Sequence, residues 1–201
     1  MAARTHDAGS PTVRRSAAQT RIIDAAFELF AEHGVGGTSL QMIADEIGVT
    51  KAAVYHQFKT KESIILAAVE EPLAKLEAAA DAAETESPAS GAVEVFLSHL
   101  IDLVVDHRAQ LRSLSTDPAI GRLVDGHERF QRLRERERRL LTSGDDSPTA
   151  RVRAAMVSSA LTGAASHALV ADIDDDTLRA ELLRLGCAFL GVTPSDDAPP
   201  S

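Results

Sequence analysis

The sequence predicts an all-α protein: an N-terminal three-helix head carrying a helix-turn-helix, followed by a larger helical body. Three observations lead there. Apolar residues recur three and four positions apart along most of the 201-residue chain, the period of one helix face. Apolar residues make up 44% of the chain, yet aromatics only 3% and Trp none, so the core must be mostly Ala, Leu, Ile and Val, with few β-branched runs. Glycine-, proline- and serine-rich breaks cut the chain into helix-length pieces. At this length one or two domains fit. The expected division is a disordered arm at 1–17, the head at 18–77, the body at 78–192 and a disordered tail at 193–201.

In the arm, Gly9, Ser10 and Pro11 interrupt any apolar period. Arg14 and Arg15 close it, either as a solvated tail or as a basic arm reaching phosphate or minor groove. Residues 18–33 form the first helix, with Ile22, Ala26, Leu29 and Phe30 on one face, widened by Ile23 and Phe27; Gly34, Gly36 and Gly37 end it. Thr38 or Ser39 caps the second helix, whose first N–H groups then offer a phosphate site. That helix carries Leu40, Ile43, Ala44 and Ile47 inward. Gly48 follows where a left-handed residue is needed, Val49 plugs the turn, and Thr50 caps the next helix. Val54 and Phe58 then face the core, which leaves Lys51, Ala52, Tyr55 and His56 outward. This is the helix-turn-helix pattern, in which the second helix enters a DNA major groove.

The same residues carry a family resemblance. The run Thr50-Lys51-Ala52-Ala53-Val54-Tyr55-His56-Gln57-Phe58-Lys59-Thr60-Lys61-Glu62 resembles the recognition-helix signature of the TetR/AcrR family of bacterial transcriptional regulators. The run from Ile22 to Gly34 is similar to that family's first helix. The likeness covers residues 20–69 with order and spacing intact; beyond that it is one of architecture only. Ala52-Ala53 departs from the Gly-Thr or Gly-Ala often found after the lysine, which implies an altered base preference. By chemistry, Thr50 and Lys51 enter the groove first, Lys51 can donate to guanine, and Ala52 or Ala53 can touch a thymine methyl. Tyr55 and His56 each offer a donor to phosphate, the alternatives being a half-buried core ring and an ordinary surface histidine. The resemblance implies the phosphate role at both positions, and at Lys61.

The body begins with a long helix over 61–83, in which Pro72 favours a kink, either a hinge or a rigid bend. A loop at 84–91 precedes a helix at 92–106, with Val93, Phe96, Leu97, Leu100, Ile101 and Val104 inward. A short helix over 109–114 and a single helix over 119–142 follow. The latter bears Arg129, Arg132, Arg134, Arg136, Arg138 and Arg139 among Glu128, Glu135 and Glu137, which reads as a solvated ion-pairing face rather than a nucleic-acid patch. Helices at 148–171 and 174–190 close the body. Leu178, Leu182, Leu185 and Phe189 form a stripe that suggests a four-helix bundle across a two-fold axis, the homodimer surface that the resemblance also implies.

Other chemistries are set aside. The lone Cys187 excludes an internal disulfide and fits a reducing compartment. Asp172, Asp174 and Asp176 have a calcium loop's first spacing, but Thr177 and Leu183 stand where glycine and glutamate are needed. No HxxxH, HExxH or CxxC occurs, so no metal or cofactor is expected, and convergence of His99, His107, His127 and His167 is not legible here. No nucleophile–base arrangement or phosphate-cradling glycine loop points to an enzyme. Neither a signal peptide nor a membrane span is expected, which makes the chain cytoplasmic. The net charge is −9, but up to Glu62 seven positive and seven negative side chains cancel, so the acidity lies in the body, where it discourages non-specific DNA adhesion.

The sequence therefore implies a homodimeric repressor that binds a palindromic double-stranded DNA operator and is released by an apolar small-molecule effector. The expected effector pocket is lined by Phe96, Leu100, Leu103, Leu111, Phe130, Met156 and Ala160. The alternative is a helical protein-interaction module with a vestigial head.

Overall fold

The computed structural model describes residues 15–86, 89–108, 111 and 118–192. The expected arm up to Arg14, most of the short helix at 109–114 and the expected tail lie outside them. Among the described residues there are nine α-helices and no strand.

Helix α1, Ala17–Gly37, starts at a Ser16–Gln19 capping box and buries Ile22, Ile23, Ala25, Ala26, Leu29 and Phe30. The expected stop at the glycines is an internal break instead: Gly34 adopts φ +71°, and one further turn follows it. Helix α2, Leu40–Glu46, is capped by Ser39, and helix α3, Lys51–Gln57, by Thr50. Helix α4, Lys61–Thr85, starts at a second capping box, Thr60 with Ser63, and continues through Pro72.

The helix α4 joins two apolar clusters. Ile64 and Ile65 complete the head core with Ile22, Phe30, Ile43, Ala44, Val54 and Phe58. Further along, Leu73, Leu76, Ala80 and Ala83 belong to the body core. That core is centred on α5, Ala89–Asp106, whose Val93, Phe96, Leu97, Ile101 and Val105 are almost fully buried. The expected 84–91 loop is thus shorter than its composition suggested. The expected helix at 119–142 is two: α6, Pro118–Gly126, and α7, Glu128–Leu141. His127 between them is extended, and beside it Gly126 carries the backbone-entropy cost that disfavours a continuous helix. Ile120 and Leu123 of α6 pack against the head core, so the body touches the head here as well as through α4.

Helix α8, Pro148–Ala165, ends earlier than expected, and a 3₁₀ turn at Ala168–Val170 follows. His167 caps that turn by accepting from the Leu169 N–H, a local bond that competes with helix continuation. Helix α9, Asp175–Leu190, is capped by Asp174 and closed by Gly191 in the left-handed region.

Candidate nucleic-acid interface

The helix-turn-helix is built by local bonds. Gly48 adopts φ +69°, its N–H donates to the Asp45 carbonyl at 3.2 Å, and the Val49 N–H to that of Ala44 at 2.9 Å. Val49 packs partly buried against the head core. The Thr50 hydroxyl accepts from the Ala53 N–H at 3.2 Å. Arg21, on α1, donates to the Ile47 carbonyl at 3.1 Å, placing a cation at the C-terminal end of α2, where the helix dipole favours it. Its signal in the sequence was faint: one basic side chain on a mainly acidic helix.

These bonds turn one face of α3 to solvent. Val54 and Phe58 are buried, while Thr50, Lys51, Ala52, Ala53, Tyr55 and His56 are exposed. The Tyr55 ring is 51% exposed, so it lies outside the core. The Lys59 ammonium sits 4.2 Å above that ring's centre, a cation–π contact that keeps both at the same edge of the face. In the sequence, only a long side chain one turn after Tyr55 marks Lys59 for this place. His56 lies open, with Nδ1 3.5 Å from the Gln57 amide nitrogen. Arg15 donates to the Ala68 carbonyl at 2.9 Å and so rests on α4.

Thr38, Ser39 and Lys61 do not stand together at the surface. Ser39 is exposed and caps α2, accepting from the Met42 N–H at 3.2 Å. Thr38 is buried: its hydroxyl lies 2.9 Å from the Gly34 carbonyl and 3.2 Å from that of Leu29. A buried hydroxyl with inward acceptors cannot face a phosphate, so that expectation passes to Ser39 alone. Lys61 is partly buried, and its ammonium donates to the carbonyls of Thr38, at 2.6 Å, and Val35.

In the body, Phe96 and Leu100 are core residues, and Leu103, Leu111 and Phe130 pack, partly buried, against that core. Met156 and Ala160 were expected among them and are exposed instead. The reason is that α8 buries the opposite stripe, Ala154, Val157, Leu161 and Ala165. A groove of about 730 Å³ runs between α7 and α8, lined by residues that include Arg134, Glu137, Leu141, Arg151, Val152 and Ser158. Burial there pushes the Glu137 carboxyl above its ordinary range, against the pull of the Ser158 hydroxyl and Arg134. None of the seven expected pocket residues is among the described lining.

The expected dimer stripe divides likewise. Leu178 and Leu182 are buried in the chain's own core, whereas Leu185 and Phe189 are 53% and 47% exposed. The helix α9 turns its centre inward at Gly186 and Cys187, which leaves Leu185 and Phe189 at the open edge. Val152 and Met156 of α8 are also open. Among the described residues no group of three His, Cys, Asp or Glu side chains could hold a metal ion, and no helix is long and apolar enough to cross a membrane.

Comparison with known proteins agrees with this geometry. Residues 22–68 match the family model described as bacterial regulatory proteins, tetR family. Over 103 residues the chain is 34% identical to the HTH-type transcriptional regulator AcrR of Shigella flexneri, covering 49% of this chain and 48% of that protein. Over 54 residues it is 39% identical to the HTH-type transcriptional repressor KstR2 of Rhodococcus jostii, covering 27% and 26%. The chain thus spans about half or less of the length of these curated relatives. The crystal structure of a bacterial regulatory protein in the tetR family from Rhodococcus RHA1 shares the fold, with a TM-score of 0.66 at 24% identity over 90% of this chain and all of that one. Residues 22–68 thus resemble the tetR family of bacterial regulatory proteins, and the chain has the fold of a solved structure from that family.

Proposed function

We propose that the chain is a DNA-binding transcriptional regulator, a repressor, that reads a palindromic operator as a homodimer and is released by a small-molecule effector. The observation that carries the reading is the open face of α3, where Lys51, Ala52 and Ala53 stand at the exposed N-terminal end of a helix braced by the Gly48 turn. A helix presented this way suits the major groove, with Lys51 donating to guanine and the alanine methyls against thymine. Tyr55, His56 and Ser39 flank that face as phosphate donors. The functional division follows the head up to about residue 77 and the body beyond it.

Repression is favoured because KstR2 of Rhodococcus jostii, similar in the head, is named a repressor. Homodimerisation is supported by the apolar side chains that α8 and α9 leave open, Val152, Met156, Leu185 and Phe189. The aliphatic composition of the body supports an apolar effector. For useful release, the effector must distinguish bound from free conformations by a coupling of about 1–3 kcal/mol.

The test is selection of bound sequences from a random DNA pool at fixed salt, with oligomeric state recorded. The expected result is an enriched palindrome bound by two chains. Salt-sensitive binding without enrichment, from folded protein, would overturn the reading in favour of an interaction module. With an operator in hand, Lys51→Ala is expected to relax discrimination at particular base pairs, by about 1–3 kcal/mol each. An equal loss on all sequences would remove Lys51 from base reading.

A further inference from the structure

We propose that Lys61 is a positioning residue, which ties the corner between α1 and α2 to the start of α4 and so fixes where the reading helix stands. The proposal rests on the DNA-binding function above. It assigns Lys61 a different task from holding a DNA phosphate.

The corner opens at Gly34. Its positive φ breaks α1 shortly before the helix ends. Two side chains bond the carbonyls around this break. Thr38 turns its hydroxyl to the Gly34 and Leu29 carbonyls. Lys61 brings its ammonium to the carbonyls of Val35 and Thr38, residues 26 and 23 positions earlier in the chain. Val35 and Thr38 are themselves almost wholly buried, so the corner is part of the head's interior.

The position of Lys61 makes the arrangement informative. It is the first residue of α4, where the helix dipole disfavours a cation. Its side chain leads the charge away from that end to the carbonyls that terminate α1, where a cation is favoured. One residue thereby joins the end of α1, the entry to α2 and the start of α4, and α3 hangs between α2 and α4. Turning the ammonium out to a phosphate would break both charge-assisted bonds. Loss of the tie would let α2 and α3 shift together against α1.

The test uses the full chain, the operator selected by the wild type, and Lys61→Met, Lys61→Gln and Thr38→Val, all at a temperature where each is folded. Lys61→Met is expected to lower the melting temperature of the free chain. It should weaken operator binding about tenfold, with the slope of log affinity against log salt unchanged. Lys61→Gln, a neutral donor to the same carbonyls, should restore much of both. Thr38→Val should resemble Lys61→Met, and the two together should cost less than their sum. A phosphate ligand would behave otherwise: both Lys61 variants would flatten the salt slope by about 0.9 per lost contact, with melting unchanged. That result would overturn the proposal, as would a Lys61→Gln variant as weak as Lys61→Met. Failure of the wild type to select any sequence would overturn the regulator reading and the positioning role with it. Even then, the melting data would show whether the tie exists.

Discussion

At Gly48 the backbone, rather than a side-chain contact, decides the cost of substitution. A Cβ added there would meet nothing within 4 Å, yet φ is +69°. Gly48→Ala therefore isolates the left-handed penalty, about 1–2 kcal/mol, and should lower the urea midpoint of the head accordingly. An unchanged midpoint would refute the conformation assigned to the turn. Residues whose task is set by immediate neighbours were legible in this way: Gly48, the Thr50 cap and the Val54 and Phe58 knobs follow from spacing alone. Thr38 and Ser39 were not separable, because both are good caps and only burial distinguishes them. Lys61 was likewise opaque, since its partners lie more than twenty positions away.

Between elements, the acidic face of α4 and the basic face of α7 form a ladder. Arg129 makes a two-point bond to Glu77 and a third to Glu70, and Arg136 reaches Asp81 and Glu84. The arginine run was expected to pair along its own helix, as Arg132 does with Glu128 and Arg138 with Glu135. The cross-helix pairing has a signal in the sequence: Glu70, Glu77 and Glu84 are seven apart, and so are Arg129 and Arg136. Matching seven-residue spacings place charges at successive points along two packed helices. The bond from Arg129 holds the Glu77 carboxyl below its ordinary value of 4.5. Because the folded value is depressed, the unfolded chain binds this proton more readily. The stabilisation is therefore complete above the ordinary value and fades as pH falls through the folded one. Arg129→Met should cost about 1 kcal/mol at neutral pH and flatten the acid limb of stability against pH. Urea melts from about pH 3 to about pH 7 would show it, and an acid limb as steep as the wild type's would exclude Glu77 as its source.

For the whole molecule, the head was legible and the body's inner surfaces were not. In the head one stripe per helix is apolar and the assignment is unique. In α8 both sides are apolar or small: Ala154, Val157 and Leu161 are buried, while Val152, Met156 and Ala160 are open. Periodicity alone could not tell which side faces the core, hence the misplacement of Met156 and Ala160. A helix apolar on two sides is itself a sign of a second partner, and the symmetric solution is another copy of the chain. Met156, 52% exposed, gives the clearest test. A glutamate there stays in water in a single chain and costs its fold little. Across a two-fold axis the same substitution buries two like charges in one apolar seam, which is strongly unfavourable. Met156→Glu should therefore sediment at the mass of one chain with its helical circular dichroism intact. Its operator affinity should fall steeply, since two half-sites no longer bind as one linked unit. A variant that still sediments as a dimer would place the two-fold elsewhere. One that loses helicity on dissociating would show Met156 to be part of the fold rather than of its pairing.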